Sequence, residues 1–207
     1  MEKQLAMQFV EGKAKETHVM LVPPDLLYLF NNKALPPGDY QNPDSVSFYT
    51  SKFVQYVSDS AFLENYYTGF ISKTKEYGLL TYFPEDLNEF LNIEPAAYII
   101  RFAQMELVED TATYLVEEKK NFQKHYKKIE YNTLGLSTWF EVSMKDSAEY
   151  YTYFDEQYMA DEILGEFIQD VWSFDIIYEY TKYEIEQENI YDFAKGMGMS
   201  HASYLFD

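Results

Sequence analysis

The chain contains no cysteine. That one absence excludes disulfides, thiolate zinc sites and cysteine nucleophiles together. Arginine is nearly absent too: Arg101 is the only one, and 16 basic residues face 35 acidic ones. Phosphate backbones are held by clustered lysine and arginine, so direct nucleic-acid binding is not expected. The three histidines, His18, His125 and His201, lie far apart and no HExxH pair occurs, so neither a metal nor a cofactor is expected. Glycine is scarce where chemistry needs it. "GLSTW" lacks the second glycine of a nucleophile elbow, Gly196 and Gly198 make only a GxG within a predicted helix, and "DEQYMADEILGE" lacks the turn glycine of a calcium loop. No run reaches 18 apolar residues, and the start "MEKQLAMQFVEGKAKE" has no signal-peptide apolar stretch, so the chain as written reads as soluble.

What is present is aromatic and acidic. Tyrosine and phenylalanine number 21 and 16, and the formal net charge is −19. Tyrosine joins an apolar face to a polar tip, which suits half-buried sheet faces and contact surfaces. The charge reads as a solvated acidic surface, with mimicry of a nucleic acid as the sharper alternative. Carboxylates are too numerous to single out a catalytic pair: Glu109, Asp110, Glu141, Asp155, Glu156, Asp161 and Glu162 include no two that spacing forces together. At 207 residues, with 47% of them hydrophobic, one domain over 1–207 can bury a sufficient core without a staple.

Along the chain, residues 2–12 place Leu5, Phe9 and Val10 at helical spacing, which predicts a short opening helix. "THVMLV" predicts a buried strand, ended by Pro23 and Pro24 because neither can donate to a ladder. "DLLYLFNN" then reads as an apolar turn, loop or short helix leaving the sheet end. Residues 34–45, with three prolines and a glycine, are the clearest loop. Val46 to Val57 carry apolar residues at helical spacing. Ser58 to Gly78 predict the strongest helix, "LLTYF" a short strand, and Pro84 opens "PEDLNEFL" as a helix with acids in its first turn. Residues 96–110 predict a central strand, and 127–146 a second with Gly135 as a bulge or close approach. Between them, 111–128 read as a charged connection, whose five lysines could meet an acidic partner. "EYYTYFDEQYM" and "SFDIIYEYTKYEIE" supply two more strands. Asn189 caps a terminal amphipathic helix carrying Ile190, Phe193, Ala194, Met197 and His201 on one face, with Gly196, Gly198, Ala202 and Ser203 placed to let it lie close on the sheet. The resulting fold class is α/β, with α+β as the variant: a single-domain mixed sheet of about five or six strands, helices mainly on one face, and a C-terminal amphipathic helix.

This order of elements, from "VMLVPPD" through "FLENYYTGFISKTKEYG", "LLTYF" and "PEDLNEFL" to long strands, resembles the α/β domain of the lipoprotein activators of penicillin-binding proteins and of the curli-export lipoprotein. "VMLVPPDLLY", "RFAQMELVED" and "IYDFAKGMGMSHASYLFD" are similar to cell-envelope lipoproteins of Bacteroidales-type bacteria. The resemblance implies a periplasm-facing protein, lipid-anchored at the outer membrane through a cysteine just before residue 1. It carries over no catalytic residue, and the chain departs from the activators in its acidity and in lacking a long tether.

The expected function is a non-enzymatic envelope lipoprotein that binds another envelope protein and meets the membrane only through that anchor. Loops leaving strand ends are common contact sites, so the exposed part of Leu26, Leu27, Tyr28 and Phe30 is the candidate interaction patch. Two alternatives stand beside it: a hydrolase of cell-wall glycan or peptide, and an acidic cytoplasmic inhibitor or nucleic-acid mimic.

Overall fold

The computed structural model describes residues 17–35, 47–93, 97–120 and 122–206. Its strands are β1 (His18–Val22), β2 (Tyr28–Asn31), β3 (Leu80–Tyr82), β4 (Ala97–Lys120), β5 (Gln123–Met144), β6 (Tyr150–Ala160), β7 (Glu162–Gln169) and β8 (Ile176–Tyr183). Its helices are α1 (Asp59–Glu76), α2 (Leu87–Leu91) and α3 (Gln187–Phe206). Six strands form one mixed sheet in the order β3-β1-β4-β5-β6, with β2 also on β4, and β7 pairs with β8 in a second, two-stranded sheet. The α/β class, the mixed sheet and the helical C-terminus agree with the sequence reading. The opening helix over 2–12 and residues 36–45 of the proline-rich loop lie outside the described residues.

Pro23 and Pro24 do end β1, but the chain does not leave the sheet. β1 pairs in parallel with β4 up to Val22↔Arg101, and β2 resumes on the same side of β4 at Tyr28↔Glu106. The prolines interrupt a ladder to which they cannot donate, and five residues later the chain returns to it. The pairing of β4 with β5 shifts register at the same level, between Phe102 and Gln104. "DLLYLFNN" is thus a link followed by a strand, and the expectation of a loop or short helix is corrected. Residues 47–49 carry one helical turn and Val54–Tyr56 a 3-10 turn, in place of a continuous helix to Val57.

Helix α1 is capped by Ser58, whose Oγ accepts from the Ala61 N–H at 3.4 Å, and is followed by Gly78 with φ of +76°, the left-handed position glycine fills at least cost. Helix α3 begins two residues before Asn189. The Asn189 side chain reaches back to accept from the Glu186 N–H at 2.8 Å, so it braces the first turn from within. The two helices lie on one face of the sheet and touch backbone to backbone. A Cβ on Gly69 would sit 2.0 Å from the Lys195 carbonyl oxygen, and one on Gly198 2.0 Å from that of Tyr66. Close approach is therefore between helices, where the sequence suggested helix on sheet. Tyr66 and Phe70 of α1 each pack edge to face on Phe102 at 5.5–5.6 Å, and Phe140 joins Phe102 at 5.2 Å. Such contacts add to an already large apolar burial. Helix α2 covers one corner of the opposite face, where Phe90 packs on Met20 and Ala97.

Within the expected charged connection at 111–128, residues 111–120 and 123–128 are strand. They belong to β4 and β5, 24 and 22 residues long, with a turn at Phe122. At about 3.3 Å per residue such a ribbon extends roughly 70–80 Å, and its far half leaves the helices behind. The β7–β8 hairpin lies along one side of that far half: the Lys120 ammonium donates to the Phe167 carbonyl, the His125 and Phe167 rings are 6.0 Å apart, and Phe167 and Ile129 are both buried. We call the helix-covered part the body and this two-layer extension the arm.

Candidate functional site

Alternation along the strands sends Ile100, Phe102, Met105 and Leu107 of β4 toward the helices, facing Val142, Phe140, Thr138 and Leu136 of β5. The intervening residues form the opposite face. There Gln104 lies beside Trp139 and Phe154, Glu106 beside Tyr28, Ser137 and Glu156, and Val108 beside Phe30, Gly135 and Tyr158. Apart from the α2 corner, no described helix covers this face. Its aromatic side chains are accordingly exposed: Tyr28 and Phe30 at 43%, Phe154 at 48%, Tyr158 at 62%.

The rings are held in place by their neighbours. Tyr28 and Phe30 stack at 6.4 Å with planes 5° apart, and Trp139 meets Phe154 at 4.7 Å. Gly135 explains the position of Tyr158, because a Cβ there would sit 2.6 Å from the tyrosine ring. The carboxylates between them have local partners. Glu106 accepts from Gln104 Nε2, Glu156 accepts from Ser137 Oγ at 3.0 Å, and Glu141 lies 3.5 Å from Arg101. The hydrogen bond from the Tyr158 hydroxyl to Glu156 raises the tyrosine pKa. At one end Arg101, Glu141, Ser143 and Tyr150 line a cleft of about 230 Å³.

Of the residues singled out in the sequence, Tyr28 and Phe30 stand on this face and Leu26 is 46% exposed in the preceding link. Leu27 is 3% exposed and belongs to the core, so the patch is corrected at that position. Trp139, Phe154, Tyr158 and Glu156 were not anticipated. The signal for Phe154, Glu156 and Tyr158 was the strict alternation of "YYTYFDEQYMA", whose odd members within the strand point outward.

The buried carboxylates Glu109 and Asp161 are occupied elsewhere. Glu109, fully buried, accepts from Lys33 Nζ at 2.5 Å and from the backbone N–H groups of Lys52, Phe53 and Val54 at 2.7–3.1 Å. Lys33 also reaches Asn132, whose side chain binds Asp161. Burial alone would raise the Asp161 pKa. The backbone N–H groups of Asn132 and Ile185, with the Lys182 ammonium and the Asn132 amide, outweigh it and hold the carboxyl below its ordinary value. This chain of contacts pins the base of the arm to the body.

His201 Nδ1 lies 2.6 Å from the Tyr66 hydroxyl. Its Nε2 is 2.9 Å from Asp155, but the direction falls outside hydrogen-bonding geometry, so Asp155 acts there as a nearby charge. Burial lowers the His201 pKa to about 4, which makes it a neutral core residue at pH 7. His18 pairs with the Tyr82 hydroxyl at 2.9 Å. Among the described residues no three His, Asp or Glu side chains are placed to share a metal ion. No protein-family model matches the chain, and no curated protein sequence matches it.

Proposed function

We propose that the protein is a non-enzymatic binding module of the cell envelope that holds a partner protein on the uncovered face of its sheet. The observation that carries the reading is the juxtaposition of Tyr28, Phe30, Trp139, Phe154 and Tyr158, from three strands, on the part of the face that no described helix covers. Contact surfaces concentrate aromatic anchors in this way, and the interspersed Glu106, Glu141 and Glu156 suit a partner that brings basic side chains. Envelope placement is supported by the resemblance to envelope lipoproteins.

The test is site-specific photocrosslinking in the source cells, combined with lipid labelling of the native gene product. A crosslinker at Phe154 or Tyr28 is expected to trap one envelope protein, and the same group at the exposed Glu64 on α1 to trap none. Equal trapping at all three positions overturns the assignment of the face. Recovery as an unlabelled cytosolic protein overturns the envelope placement and favours the acidic-inhibitor reading.

A further inference from the structure

The arm has two outer surfaces, and cross-strand register gives them different charge: Lys119, Lys124 and Lys128 with Glu117 and Glu130 on one, Glu162, Glu166 and Glu179 on the other. On the ribbon side, Leu115 pairs with Lys128, Glu117 with Tyr126 and Lys119 with Lys124. On the β7–β8 side, Leu164 pairs with Thr181, Ile168 with Ile177 and Glu166 with Glu179. Each surface keeps large apolar side chains in water: Leu115 is 59% and Tyr126 54% exposed on one, Leu164 is 54% and Tyr183 55% exposed on the other. Each also places two like charges directly opposite one another, Lys119 against Lys124 and Glu166 against Glu179, an arrangement that destabilises a strand pair. Glu117 relieves one of these lysines, at 2.5 Å from Lys124. The contact of Lys120 with the Phe167 carbonyl sets the lysine pair and the glutamate pair at the same height along the arm.

We infer that the arm is a self-association element, in which the lysine side of one copy's β4–β5 ribbon lies on the glutamate side of another copy's β7–β8 hairpin. Both halves of the complementarity belong to one chain, which is why a second copy is the occupant. Stacking them covers Leu115 and Tyr126 with Leu164 and Tyr183 and gives each like-charge pair a counter-pair. Because the two surfaces lie on opposite sides of the arm, the contact is heterologous: each copy offers one side and accepts on the other, so the assembly extends until a rotation closes it. The bodies, which carry most of the −19 net charge, repel. At about 0.15 M salt the screening length is about 8 Å, short enough to weaken that repulsion while charges in direct contact still act.

The inference is independent of the partner on the body face, and a charge swap tests it. Sedimentation velocity at that ionic strength is expected to show the wild-type chain associating. The double variants K119E/K124E and E166K/E179K each present two like-charged sides and are expected to associate at least about tenfold more weakly. Mixed together they regain alternating contacts, and association returns. Unchanged far-ultraviolet circular dichroism confirms that both variants fold. Leu115→Ser and Tyr183→Ser, which leave the charges untouched, are expected to weaken association as well. A wild-type chain that stays monomeric at every concentration, or a mixture that stays apart, overturns the inference. So does capture of monomers by phosphatidylglycerol vesicles through the exposed tips, lost in F122S/W172S, which would make the arm a membrane element.

Discussion

Strands β4 and β5 run unbroken through the body and the arm, yet the two regions share little beyond their backbone ladder. In the body every second residue enters a core of Phe102, Phe140, Tyr66 and Leu107, all at most 1% exposed. In the arm the same positions read Thr111, Thr113, Leu115, Glu117 and Lys119, and water reaches nearly all of them. Only the other side of the ribbon is covered, by Phe167 and its hairpin. A continuous ladder therefore does not make a uniformly stable strand: segments with few buried apolar contacts open locally at a lower free energy than the core.

The sharpest break of this contrast is in the body. Phe102→Ala removes the ring at the centre of the aromatic cluster and is expected to cost about 4 kcal/mol, read from the urea midpoint. Glu109→Ala, at the junction, strands Lys33 and three backbone N–H groups and is expected to cost about 3 kcal/mol, with faster hydrogen exchange along the arm. Acid separates the regions as well. His201 is depressed to about 4 in the folded chain, against an ordinary 6.5, so the unfolded chain takes up its proton first as pH falls. Its contribution, no more than about 3 kcal/mol, is complete above pH 6.5 and is lost between 6.5 and 4. Melting temperatures across that window are expected to fall in the wild type and to flatten in His201→Gln. In the arm, Phe167→Ala is expected to raise amide exchange by about 2 kcal/mol of local opening while body amides stay protected. Equal acceleration in both regions would show that arm and body unfold as one. The smallest effect belongs to the tip. Phe122 holds φ of +65° at 97% exposure, so Phe122→Gly is expected to stabilise by no more than about 1 kcal/mol, detectable as a small rise in melting temperature.

The elements legible in the sequence were those with an apolar period of their own. β1, β4 to Asp110, β5 from Lys127, β6, β8, α1 and α3 all show it. β2 and β7 do not. "YLFN" follows two prolines and becomes a strand because β4 offers it a free edge, a tertiary cause that no local pattern encodes. "EILGEFIQ" is short and broken by Gly165, whose absent side chain makes room for Tyr178 and Tyr180 across the hairpin. Residues 111–128 lack a core-facing period because only one side of the ribbon is covered, and that side by a segment forty residues later. The candidate face was half visible for the same reason. Tyr28 and Phe30 followed from their place after the prolines, whereas their association with Trp139, Phe154 and Tyr158 depends on registers across four strands. Leu27 was misassigned because the apolar run does not reveal which of its members turn inward.

Strand β6 ends the sheet, and no described strand pairs with its outer side. An eleven-residue edge without proline, lysine or glycine has the features that template intermolecular β-pairing and, in the extreme, amyloid. Asp155 and Glu156 at its centre, set within a strongly anionic molecule, keep two such edges apart. The acidity first noticed as a bar to nucleic acid thus also guards solubility. Charge stands there in place of a covering strand or helix.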